Sequence, residues 1–203
     1  MADSKTQLAN LALLRIGETA ITDINDTTND AARQCKRLLK TVIKEVGRTH
    51  KWNCLKTRSQ LAANTTAPAF GWDYSYTLPV LCLQLVTLNG YSIDEAYIQS
   101  KFEIEGRDIL TDAEECKITY IAYTDDVTKF DSHFDRCVVA LLSSYLASII
   151  AGEDSLAVTL RREYEEIVLP RAMRIDAQES NPRKYSLINN STWLESRRIQ
   201  PGE

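Results

Sequence analysis

Two hydrophobic textures alternate along the chain. In the first fifty positions apolar residues recur at helical spacing. Leu8, Leu11, Ala12 and Leu14 form a stripe that predicts a helix from about Lys5 to Ile16, with Ser4 and Gln7 as a capping pair and Gly17 as its stop. Residues 18–27 form a polar connection in which Ile21 and Ile24 pack back on the core. A second, longer helix is predicted from about Thr28 to His50, capped by Thr27 or Thr28. Cys35, Leu39, Val42 and Val46 mark its buried side. From Trp52 to Thr124 the apolar residues fall in short runs broken by Asn64, Pro68, Gly71, Pro79, Gly90 and Gly106. This pattern predicts strands near 72–78, 84–90, 96–104 and 116–123, with a turn at Gly106 to Asp108. Helical periodicity returns at Ser132, whose pairing with Asp135 repeats the capping pattern. Residues 133–150 are apolar nearly all round, which predicts the central buried helix. Gly152 breaks it, and a last helix runs from about Leu156 toward Gln178. Leu156, Leu160, Tyr164, Ile167 and Ile175 lie on one of its sides, and Pro170 kinks or interrupts it.

These elements predict an α+β fold, mainly α. An antiparallel bundle of about four main helices comes from residues 1–57 and 125–178. A small antiparallel β module is inserted at 58–124, and an extended arm occupies 179–203. That arm carries Tyr185, Leu187, Ile188, Trp193, Leu194 and Ile199, too many apolar groups for an inert tail, so it is expected to dock on a neighbour.

Composition adds limits. The chain has 203 residues, 44% apolar and 26% charged, within the ordinary globular range. No run approaches the apolar length of a membrane span, so no membrane insertion is expected. The N-terminus has no basic-then-apolar leader, so the protein is expected to be made and kept in a cytoplasm, or packed into something assembled there. Cys35, Cys54, Cys82, Cys116 and Cys137 are widely and irregularly spaced, which argues against a disulfide framework and a zinc site. The net charge of −4 is unevenly spread: +4 over residues 1–57, −6 over 58–130, −3 over 131–178 and +1 over 179–203. Such asymmetry suggests opposite-sign faces that meet between subunits.

Candidate chemistry is sparse. His133 and Cys137 share a helix face at i, i+4 spacing, but no orienting carboxylate or third ligand is placed beside them, and packing is the preferred reading. Asp125 with Asp126, and Glu114 with Glu115, read as solvated turns rather than a glycosidase pair. No phosphate loop, nucleophile elbow or HExxH run occurs. No catalytic residue, metal or cofactor is therefore expected. One surface feature has a physical consequence. Arg33, Arg37, Lys40, Lys44, Arg48 and Lys51 fall in one narrow sector of the second helix. Such a stripe can follow a phosphate backbone or an acidic protein surface by non-specific electrostatics.

The order of motifs resembles the tail tubular protein A family, the head-to-tail adaptors of short-tailed bacteriophages. The opening run Ala9 to Gly17 (ANLALLRIG) leads through an isoleucine-bearing loop to a long helix with Ala31, Ala32 and Arg33, which ends at Lys51, Trp52 and Asn53. Trp72 to Pro79 (WDYSYTLP) followed by Cys82 and Leu83 is similar to the family's aromatic Y-x-L-P-x-D-C-L segment, with Leu81 where an aspartate is common. Tyr120 to Tyr123 (YIAY) precedes Phe130, Asp131 and Phe134, and Tyr164 with Ala172 to Glu179 is similar to the closing helix. The resemblance spans essentially the whole chain. It implies a structural virion protein of the tail or neck, self-assembled into a dodecameric ring. Its partners would be the portal protein, the tail nozzle protein, tail fibres near the junction, and the double-stranded DNA passing through the channel during ejection. No catalytic residues come with that role. Competing readings are another phage neck or head-completion protein, a DNA-binding module acting alone, and a particle-borne polysaccharide hydrolase.

Overall fold

The computed structural model describes residues 4–180. Helix α1 spans Lys5–Arg15 and starts where Ser4 Oγ accepts the Gln7 amide at 3.1 Å. Helix α2 spans Asp30–Thr49 and is capped by Asn29, whose side chain accepts the Ala32 amide. The predicted caps are taken up otherwise: Asp26 accepts both the amide and the hydroxyl of Thr28 in a tight local turn. The strands are β1 (Lys56–Leu61), β2 (Tyr74–Thr77), β3 (Cys82–Leu88), β4 (Tyr91–Ser92), β5 (Glu103–Glu105), β6 (Asp108–Thr111) and β7 (Cys116–Ala122), with a one-turn helix α3 (Ala96–Gln99) between β4 and β5. Helices α4 (Ser132–Ile149), α5 (Asp154–Glu163) and α6 (Leu169–Glu179) close the fold.

The expectation of a mainly α bundle carrying a small β module is overturned. Seven antiparallel strands form two sheets, one of order β1-β7-β3-β4 and one of order β2-β6-β5. The four-stranded sheet is structural partner to the helices and to the other sheet at once. Val86, Ile121 and Tyr123 join the core built by α1, α2, α4, α5 and α6. Leu85, Leu88, Ile118 and Tyr120 join a second core with Tyr76, Ile98 and Ile109. The molecule is therefore layered as helices, four-stranded sheet, three-stranded sheet. Ordinary strand alternation sends adjacent Leu85 and Val86 into different cores, and a register shift in β3 between Leu85 and Thr87 lets Leu88 share the core of Leu85.

Two local expectations also change. The predicted strand at 96–104 divides into α3 and β5, joined to β6 by the Gly106 turn, where φ is +60°. Strand β1 was not foreseen. Its residues 56–61 (KTRSQL) lack an apolar alternation because it is an edge strand, half-buried at best apart from its pairing with β7.

Helix α4 is the hub. Phe134, Cys137, Val138, Leu141, Leu142 and Leu146 are fully buried among α1, α2, α5 and α6. Residues Ser132–Ala151 are long and apolar enough to cross a membrane, with a mean hydropathy of 1.5. Here the surrounding helices and sheet take up that apolar surface. Asp131, rather than Ser132, caps α4 by accepting the His133 amide at 2.8 Å. Between α5 and α6 a π turn covers Tyr164–Val168, and the Leu169 amide reaches Tyr164 O. The extra residue absorbs Pro170, which has no amide to donate. It also rotates the helix face. Leu160, Tyr164, Val168 and Ala172 are buried, while Ile167, expected on that side, is exposed.

Candidate functional site

Three kinds of surface stand out, and each grows from the layering just described. The first is the basic face of α2. Its inner side is filled by Cys35, Leu39, Val42 and Val46, so Arg33, Arg37, Lys40, Lys44 and Arg48 point away from the core, whereas Lys51, expected on the same stripe, lies beyond the helix end at Thr49. The structure uses them unequally. Arg33 pairs with Asp30 at 2.7 Å, Arg48 donates to Leu83 O at 2.8 Å, and Lys51 pairs with Asp94. Lys40 and Lys44 stand over the Tyr123 ring, 5.7 and 5.3 Å from its centroid. Arg37 is exposed with no side-chain partner among the described residues, and so is Lys36, which the sequence reading left out because it lies at the flank of the sector. The stripe is thus an internal tether at its C-terminal end and an unpaired cationic surface through Lys36, Arg37, Lys40 and Lys44. Acids near it are held ionised. The Lys51 ammonium keeps the Asp94 carboxyl below the usual range. Asp125 is likewise lowered, first by the Tyr123 hydroxyl that donates to it and then by Lys5 at 3.1 Å.

The second surface is the outer face of the three-stranded sheet. Residues 62–73 arch over it and enclose a cleft of about 740 Å³. Glu103, Glu105 and Asp108 line the cleft with Trp72 and Phe70, and no lysine or arginine takes part. Trp72 Nε1 donates to Glu103 at 3.3 Å and the Thr77 hydroxyl donates to Asp108 at 2.7 Å. Asp73 and Asp112 continue the acidic row, and Phe70 is 87% exposed. Sequence reasoning missed this face because its acids are scattered, Asp73 in the strand predicted at 72–78, Glu103 in that at 96–104, and Glu105, Asp108 and Asp112 beyond it. The alternation of Glu103, Ile104 and Glu105 before a glycine turn was the available signal.

The third consists of two apolar grooves flanking α4. On one side Leu11 and Leu14 of α1 stand beside Val139, Leu14 being 72% exposed. On the other, Tyr145 and Ile149 of α4 face Ala157 and Val158 of α5, Val158 being 69% exposed. At about 100° per residue the α4 residues lining the two grooves are centred about 160° apart around its axis, so the grooves open on opposite sides. A polar tie fixes the second groove: the Tyr145 hydroxyl donates to Glu45 at 2.9 Å and Arg161 donates to Tyr145, Glu45 and Glu165.

The residues screened for chemistry go elsewhere. Cys137 is fully buried and its thiol is pushed up to about 12 by burial, and Cys35, Cys54 and Cys116 to about 11 for the same reason. Asp126 caps a short 3-10 turn through the Thr128 amide and hydroxyl, and Glu115 pairs with Lys117. No group of three or more His, Cys, Asp or Glu suited to a metal ion occurs among the described residues. The other histidine, His50, joins the α2–α6 junction. Its Nε2 lies 3.0 Å from Asp176, and Asp176 also accepts the Asn53 amide at 2.9 Å. The expected docking residues Tyr185, Leu187, Ile188, Trp193, Leu194 and Ile199 lie outside the described residues. In comparisons with known proteins, no family model matches the chain and no curated protein matches it.

Proposed function

We propose that this chain is a structural virion protein, a head-to-tail adaptor whose ring joins the portal to the tail nozzle, seals the filled head and continues the DNA channel. The observation that carries the reading is the placing of exposed apolar side chains on opposite sides of the hub helix. A monomer that works alone has no use for two such grooves. A ring subunit between two larger assemblies needs several surfaces of different composition, because cyclic contacts are heterologous and the ring's two rims meet different partners. The sequence resemblance to tail tubular adaptors supports the same role. On this reading the chain carries no catalytic chemistry, needs no cofactor, and resides in the neck of the virion.

The test is electron microscopy of purified portal rings before and after mixing with this protein. The expected outcome is a defined additional ring on one face of the portal. Leu14→Glu and Val158→Glu, each placing a charge in one groove, are expected to block docking of one ring partner while leaving the other. Portal rings unchanged by a large excess of the folded protein would overturn the reading.

A further inference from the structure

We infer that the outer face of the three-stranded sheet receives the basic face of α2 from a second copy of this chain, in a head-to-tail contact. The inference deepens the adaptor reading and rests on it, since it names the contact between neighbours in the ring. Its basis is complementarity within one sequence. Lys36, Arg37, Lys40 and Lys44 are exposed and form no salt bridge among the described residues, Lys40 lying near enough to Asp125 to help lower its carboxyl. Asp73, Glu103, Glu105 and Asp112 are exposed and have no cationic partner there either. The two sets lie on different layers, with the four-stranded sheet between them, so they cannot neutralise each other within one copy.

Dimensions agree as well. Lys36 to Lys44 covers about 12 Å along the α2 axis. Asp108 to Asp112 covers about 13 Å along β6, with Glu105 opposite Asp108 on the neighbouring strand. Exposed Phe70 adds apolar surface beside the acids. Two different faces of one chain meeting in this way give an assembly that closes into a ring or extends as a filament, not an isologous pair. Double-stranded DNA is the competing partner for the basic face. It is disfavoured by the unpaired acidic row on the same molecule and by the net charge of −4.

The experiment uses charge reversal at side chains that make no hydrogen bond or ion pair among the described residues. Lys36→Glu with Arg37→Glu reverses one face, and Asp73→Lys with Glu105→Lys reverses the other. Self-association of the full chain is followed by sedimentation at low salt. Each double variant is expected to associate at least about tenfold more weakly than wild type. A mixture of the two variants is expected to regain association to within about threefold, because each offers the intact face the other needs. Raising the salt should weaken wild type and mixture alike. Variants that associate like wild type, or a mixture that stays at the 23.0 kDa mass of one chain while both components remain folded, would overturn the inference. So would loss of binding to a short DNA duplex by the first variant with its self-association unchanged. If the portal accepts the ring although these charges prove irrelevant, this contact falls and the adaptor reading stands. If the charges drive association but the portal is ignored, the adaptor reading falls and the contact stands.

Discussion

At the residue scale, the fold is locked by a few side chains that tie distant segments. Trp52 is fully buried, donates to Val46 O at 2.7 Å, and stacks edge-on with His50 and Phe134. Beside it Asp176, 1% exposed, gathers His50, the Asn53 amide and, through its carbonyl, the Asn53 side chain. Removing that carboxylate strands a part-buried amide, so Asp176→Ala is expected to lower stability by about 1–3 kcal/mol, measured by urea unfolding. The Trp52 to Asn53 run was noticed in the sequence as the end of a helix. Its role as the joint between α2 and α6 was not legible, because the partner Asp176 is 123 positions away from Asn53. The thiols make a second prediction. Burial raises them, so the fold favours the neutral form. Their contribution is complete below the unfolded cysteine value of about 8.5 and fades as the pH rises toward 11. Stability should therefore decline above about pH 9. At pH 8 a disulfide reagent should label Cys35, Cys116 and Cys137 at least about a hundredfold more slowly in the folded chain than in urea. Fast labelling of the folded protein would contradict their burial.

At the element scale, helices were legible where local rules decide and sheets were not where long-range pairing decides. Ser4 and Gly17 bracket α1 as their chemistry dictates, and the amphipathic pattern of α2 survives intact. Residues 116–123 read as a strand, but their imperfect alternation hid its cause: even-numbered positions face the second core while Ile121 and Tyr123 face the helices. β1 has no apolar signature and is specified by its partner β7. The proline disturbance was expected at Pro170, which lies in the first turn of α6, two residues after the π turn at Tyr164–Val168. Pro170→Ala restores a donor in the helix interior, and is expected to raise stability by about 1 kcal/mol or more, read as a higher unfolding midpoint. A lower midpoint would mean that proline stabilises the turn.

At the scale of the whole molecule, charge is the organising feature. The segmental imbalance visible in the sequence becomes two unpaired faces on different layers. The acidic face could not be located from sequence because its members come from the 62–73 loop, β5 and β6 and are brought together only by the sheet. Acid should weaken the fold. Asp94 and Asp125 have lowered folded values, so their stabilising contribution holds above the unfolded carboxylate range and is lost as the pH falls through those lowered values. The most direct test of the central claim is the mass of this protein in solution, alone and after mixing with its cognate portal ring, by light scattering behind a sizing column. The adaptor account predicts that the mixture gains a fixed multiple of the 23.0 kDa chain and elutes as one species. A portal peak of unchanged mass, with this chain eluting separately, would contradict it.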